Sequence, residues 1–163
     1  MSCDANSDGN IHPKRKRPVG ERTARWALAE VYGIKRRGSD SPLDWKGPVY
    51  ESASFSEGKA KVTFVEGTAQ GLRLDKDAAL GFYLAGEDKV FHVAEARVVG
   101  QKGKEGMVEV WSSAVPEPVA VRYAISNLPL GSLMNGAELP AYPFRSDKWP
   151  ITPHQSTGSY LME

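Results

Sequence analysis

The chain has 163 residues, 40% apolar and 25% charged, which suffices for one domain with a usable core plus a remnant of another, but not for two complete domains. A formal net charge of +1 excludes a global field that would recruit nucleic acid, membrane or an acidic polymer, and one cysteine excludes an internal disulfide and a multi-cysteine zinc site. No apolar run approaches the roughly 20 residues needed to cross a bilayer, and the polar start MSCDANSDGN has no signal-peptide core. The chain as written is therefore expected in the cytoplasm, or in the periplasm or secreted if a longer form carries a leader.

The first segment, DANSDGNIH at 4–12, reads as a loop that brings Asp4, Asp8 and His12 to the start of a helix. The helix is expected over Pro18 to Tyr32, where Val19, Thr23, Trp26, Ala27 and Val31, with Ala24 and Leu28, recur at three- and four-residue spacing. Pro18 suits its first turn and Gly33 its end. At about 15 residues it is near the minimum for isolated stability, so it needs a surface to pack on. Residues 34–48, IKRRGSDSPLDWKGP, lack periodicity and read as a linker.

After Pro48 the pattern changes to period two. YESASF, KAKVTFVE, LRL, LGFYLAG, VFHVAEARVVG, GMVEVWSS and PVAVRYAIS are short, rich in Val, Phe, Tyr and Trp, and separated by turn residues. Six to eight strands at about ten-residue spacing predict an antiparallel sandwich. Val62 and Phe64 should face opposite to Lys61, Thr63 and Val65. Val119, Val121 and Tyr123 should share one buried face, with Ala120 and Arg122 on the other. Residues 127–149, rich in Pro, Gly and Asn, are expected to wrap the sandwich as an extended segment, and ITPHQSTGSYLME to form a loose tail.

Several residues carry chemistry in principle. His12, in a loop before a helix and near a carboxylate, has two readings: a general base projecting into a cleft, or an exposed loop residue. The run Lys14, Arg15, Lys16, Arg17 is either a nucleic-acid or targeting patch or a solvated helix entry; with so little net charge, no nucleic-acid role is expected. His92 reads as a strand histidine, and His154 lies in the tail. Three scattered histidines without partners at ligand spacing predict no metal site. Trp45, Trp111 and Trp149 are either a platform for sugar rings or core aromatics. GEDK at 86–89 reads as a hairpin turn, Asn127 and Asn135 as turn residues, and Arg145 with Asp147 as an ion pair pinning the last segment.

The segment IHPKRKRPVGERTARWALAEVYG resembles the end of the catalytic domain in the sialate O-acetylesterase family, a branch of the SGNH (GDSL-type) hydrolases. There an "IHP" segment carries the triad histidine and leads into the last helix. GPVYES, LGFYLAGEDKVFHVAEARVVG and PVAVRYAISNLPLGSLMNGAELPAYPFRSDKW are similar, in the same order, to the family's C-terminal β region. The resemblance covers about residues 10 to 149. It implies that His12 is the catalytic base; the family's orienting aspartate would fall on Gly9 here, so the orienting group is Asp8, the preferred candidate, or Asp4 or a backbone carbonyl. The family's nucleophile segment, a serine in a Gly-Asp/Gln-Ser setting, has no counterpart before His12. GSDS at 38–41 has the right letters in the wrong order, and no G-x-S-x-G occurs.

The expected architecture is therefore mainly β: an N-terminal helix, remnant of an SGNH α/β domain, followed by an antiparallel β-sandwich. Residues 1–37 would close the hydrolase domain, 45–150 form the accessory sandwich and 151–163 the tail. The implied function is hydrolysis of O-acetyl esters on sugars by a Ser/His mechanism with no cofactor, acting on an acetylated carbohydrate of sialic acid or xylan type. This chain would lack the nucleophile, be inactive alone, and pair with an upstream SGNH polypeptide. The alternative is a non-catalytic carbohydrate-binding or structural β-sandwich module.

Overall fold

The computed structural model describes residues 15–75, 80–100, 105–125 and 131–151. Helix α1 spans Arg17–Trp26, with proline in its first turn. It continues into one π turn, Ala27–Val31, in which the Tyr32 N–H reaches back to the Ala27 carbonyl at 3.1 Å. The predicted helix is thus present, ending at Gly33 with φ +63°.

All strand pairings are antiparallel. In chain order they are β1 Tyr50–Ser56, β2 Lys59–Phe64, β3 Arg73–Leu74, β4 Phe82–Ala85, β5 His92–Val93, β6 Glu95–Val99, β7 Met107–Trp111, β8 Ala120–Tyr123, β9 Leu133–Met134 and β10 Phe144–Arg145. One sheet has the order β1-β2-β7-β6 and the facing one β10-β8-β4-β5; β3 and β9 form a short ribbon. The molecule is the expected helix plus sandwich, with every predicted strand segment contributing.

Alternation decides which side of each strand is inside. In β2, Ala60, Val62 and Phe64 are buried while Lys61 is exposed and Val65 follows on the outside. The register sets Val62 opposite Val108 and Ala60 opposite Val110, and on the other flank Ala96 opposite Val110. These small and branched side chains therefore form rows across the first sheet. The β1–β2 hairpin closes with Ser56 opposite Lys59 and positive φ at both Glu57 (50°) and Gly58 (73°), the primed turn that matches strand twist. GEDK does form a turn, the Lys89 N–H meeting the Gly86 carbonyl at 3.0 Å.

The second sheet contributes aromatics. Phe144 stacks on Tyr50 at 4.9 Å and on Tyr123 at 5.3 Å, and meets Phe64 edge-on at 6.1 Å. Tyr123 also packs on Phe82 at 4.7 Å, and its buried hydroxyl accepts the Leu133 N–H at 2.9 Å. The core centre is thus occupied by a residue from the Pro/Gly-rich last segment, which is not a passive wrapping but an added strand.

Four local expectations change. VFHVAEARVVG is not one strand: it leaves the second sheet after Val93, crosses at buried Ala94, and enters the first sheet at Glu95. Ala120 is as buried as Val121, while Val119 is partly exposed just before the strand begins. Residues 34–48 are ordered by a Lys35–Pro42 bridge, a 2.8 Å Lys35–Asp40 ion pair and an Arg36–Asp44 ion pair. Asn135 begins a turn, as expected, yet its buried amide also joins three segments. Its Nδ2 donates to the carbonyls of Lys46 (2.9 Å) and Thr68 (3.1 Å), and its Oδ1 accepts from Ala137 and Leu139 (both 3.1 Å). Every hydrogen-bonding direction of that side chain is satisfied, as burial requires.

Asp147 does anchor the last segment, but its main partner is Arg122. Two parallel 2.8 Å bonds join them, while Arg145 lies 3.8 Å away and donates instead to the Trp149 carbonyl. The Arg122 guanidinium also covers the Phe91 ring at 3.9 Å. Hydrogen bonding from Arg122 holds the Asp147 carboxyl below its ordinary pKa, against the opposing effect of burial.

Candidate functional site

The helix meets the sandwich along one line. Arg25 Nη1 donates to the Ala137 carbonyl at 3.0 Å, and Trp45 Nε1 donates to Glu30 Oε1 at 2.6 Å. Where helix and sandwich meet there is a groove of about 230 Å³. Val19, Arg22, Thr23 and Trp26 of α1 form one wall, and Trp45 with Tyr142 the other. Its floor is the close approach of Gly47 to the 139–140 backbone: a Cβ on residue 47 would sit 1.9 Å from the Pro140 carbonyl oxygen, so only glycine fits. The Tyr142 N–H bonded to the Pro48 carbonyl at 3.0 Å fixes the second wall. Lys46 Nζ lies 4.6 Å from the centre of the Trp45 ring.

The apolar stripe of α1 is divided by this seating. Val19, Thr23 and Trp26 turn toward the groove, whereas Ala24, Leu28 and Val31 lie round the helix from them and are exposed. The Thr23 hydroxyl donates to the Val19 carbonyl at 2.9 Å, which ties it to its own helix.

His12, the catalytic base implied by resemblance, and Asp8, its preferred orienting group, lie outside the described residues, as do Asp4, Lys14, Asn127 and His154. Arg15, Lys16 and Arg17 are exposed, and Arg17 pairs with Glu21 at 2.6 Å. Ser39 and Asp40 of GSDS are surface turn residues: the Ser39 hydroxyl accepts the Ser41 N–H at 3.0 Å. His92 stands on β5, opposite Leu84. Among the described residues no three His, Cys, Asp or Glu side chains converge as metal ligands, and no helix is long and apolar enough to cross a membrane.

The three tryptophans considered as a platform have separate surroundings. Trp45 lines the groove, Trp111 lies under Arg97 at 5.8 Å on β7, and Trp149 meets Phe91 edge-on at 5.9 Å. Trp45 is instead assembled with Trp26 and Tyr142, a grouping that sequence reasoning missed. Tyr142 sits in the last segment and Trp26 in the helix, and no spacing rule connects such distant positions.

No family model matches the chain, and neither does any curated protein. Among solved structures, a carbohydrate acetylesterase from Xanthomonas citri is similar with a TM-score of 0.70 and 39% sequence identity, over 86% of this chain and 30% of that one. The chain thus spans less than a third of that protein's length. That likeness supports a relation between this chain and a carbohydrate esterase.

Proposed function

We propose that this chain is the C-terminal part of a carbohydrate O-acetylesterase of the sialate O-acetylesterase type, with the helix as the end of an SGNH hydrolase domain and the sandwich as its accessory module. The observation that carries this reading is the 39% identity to a carbohydrate acetylesterase, sustained over 86% of the chain. In this reading His12 takes the proton of a serine outside these residues as that serine attacks the acetyl carbonyl, and returns it to the departing sugar hydroxyl. Water, deprotonated by the same histidine, then releases acetate from the acyl-enzyme. Asp8 holds the imidazole in the tautomer this requires. The substrate is an acetylated sugar of sialic acid or xylan type.

The partner in this reading is the remaining hydrolase polypeptide. Its contact on this chain is the outer face of α1, where Leu28 is 41% and Val31 63% exposed.

Acetate release from acetylated xylan and from O-acetylated sialic acid tests the reading. The chain alone should release none. Mixed with a polypeptide equivalent to the other 70% or so of the Xanthomonas enzyme, it should release acetate, and His12→Ala should abolish that release. Turnover by the pure chain together with labelling by a covalent serine probe would overturn the missing-nucleophile assignment. Reconstituted turnover indifferent to His12→Ala would overturn the role of His12. Saturable glycan binding without turnover in either preparation would instead favour the non-catalytic module, a reading that the aromatic lining of the groove supports.

A further inference from the structure

We propose that the groove between α1 and the sandwich is a carbohydrate subsite that holds one pyranose ring of an unmodified saccharide, apart from any reacting ester; the choice of ligand class rests on the carbohydrate reading above.

Three aromatic side chains, Trp26, Trp45 and Tyr142, converge there from three separate segments, and Trp26 keeps 47% of its surface exposed. Aromatics brought together in a core bury themselves; Trp26 is exposed and Trp45 and Tyr142 are half-buried. Trp45 is held by its 2.6 Å bond to Glu30, which uses the indole N–H at the edge of the ring. The backbone floor of the groove is fixed by the Gly47–Pro140 approach, from which Trp45 and Tyr142 each stand two residues away.

A pyranose is matched to such a lining because its axial C–H faces are apolar while its hydroxyls radiate from the rim. Flat indole and phenol faces cover the former. Tyr142, which carries a hydroxyl at the end of its ring, suits the latter. Size sets the number of rings. At about 230 Å³ the groove falls below the roughly 300–1,000 Å³ of ordinary small-molecule pockets, so one ring enters while neighbouring sugars remain in solvent. Among the described residues the groove's one hydroxyl on α1, that of Thr23, is bonded to its own helix, so the proposed role of the site is to retain the saccharide.

The indole N–H resonances of the four tryptophans, observed in the full chain by heteronuclear NMR, provide the test. The probes are xylotetraose, mannotetraose and N-acetylneuraminic acid, none carrying an O-acetyl ester, each titrated to millimolar concentration. At least one should move the Trp26 and Trp45 signals saturably while Trp111 stays still. Trp45→Ala should weaken that probe by about ten-fold or more, and Trp45→Phe, which keeps a flat face but not the bond to Glu30, by less than about three-fold.

If no probe moves Trp26 or Trp45, or if the shifts occur at Trp111, the subsite is overturned. The same holds if only the complementary hydrolase polypeptide moves them, which would make the groove a protein interface. Because acetate release is read separately, reconstituted turnover without groove binding removes the subsite alone. Groove binding with no acetate release even in the reconstituted mixture removes the esterase reading and leaves the subsite in place.

Discussion

In the sandwich, Ala60, Val62, Phe82, Leu84, Val108, Val110 and Val121 have no accessible surface, whereas α1 and its π turn contain no buried residue. The two regions obey the same amphipathic logic with opposite results. The sandwich closes on itself because two sheets supply each other's apolar face. The helix offers apolar side chains in two directions and finds a partner in only one, so hydrogen bonds from Arg25 and Trp45 fix its position where packing does not. A region held by polar contacts at its rim is where further polypeptide or ligand can be added without dismantling a core.

The sharpest way to break this contrast is to remove one large side chain from each region. Tyr123→Ala takes away two ring contacts and the acceptor for Leu133, and should cost about 3–5 kcal/mol in denaturant unfolding. Trp26→Ala should cost less than about 1 kcal/mol. Equal losses would mean that the helix is as integral as the strands.

Next in size is Asp147→Asn, which leaves the Arg122 guanidinium, 16% exposed, facing a neutral amide in a site where the carboxylate is 2% exposed. A loss of about 2–4 kcal/mol is expected, against under about 1 kcal/mol for Arg145→Ala. Similar losses for the two variants would show that the pair adjacent in sequence, rather than the cross-strand pair, anchors the segment.

The same carboxylate gives an acid dependence. Asp147 binds its proton less readily folded than unfolded, so its contribution is complete above the ordinary carboxylate value of about 3.9 and is lost as pH falls through the lower folded value. Unfolding free energy should therefore decline below about pH 4, and Asp147→Asn should flatten that decline. A parallel decline in the variant would transfer the effect to other carboxylates. Glu109, held low mainly by its hydrogen bond from Arg97, is the first to examine.

The smallest expected effect lies on the outer helix face. Leu28→Glu with Val31→Glu should change the stability of this chain by no more than about 0.5 kcal/mol, because neither side chain is buried in it. The same pair should prevent reconstitution with the complementary hydrolase polypeptide. A large loss in the chain alone would show that this face is already in use.

Where periodicity and turn chemistry act locally, the sequence was legible: the in-out order of β2, the proline and glycine at the ends of α1, and GEDK as a turn all follow from neighbouring residues. The crossing at Ala94 was not, because both halves of VFHVAEARVVG are equally strand-like and only the facing sheet decides where one ends. Nor was Phe144 legible as a core residue inside a Pro-rich stretch. Its place is set by pairing with Tyr123, and the same register puts Arg145 opposite Arg122, so that Asp147 meets the strand's arginine first. Of the candidate site, Trp45 was recognised as an aromatic of interest, but with the wrong companions. His12 was singled out by likeness of a short segment, and Asp8 only as a nearby carboxylate, rather than by physical necessity.

The seat of Phe144 has a practical corollary for anyone trimming this protein. A shortened chain stopping near residue 140 would forfeit the ring on which Tyr50 and Tyr123 stack, together with the carboxylate that neutralises Arg122. Such a product should precipitate or be degraded. Stopping just beyond Trp149 should give a soluble, cooperatively melting module.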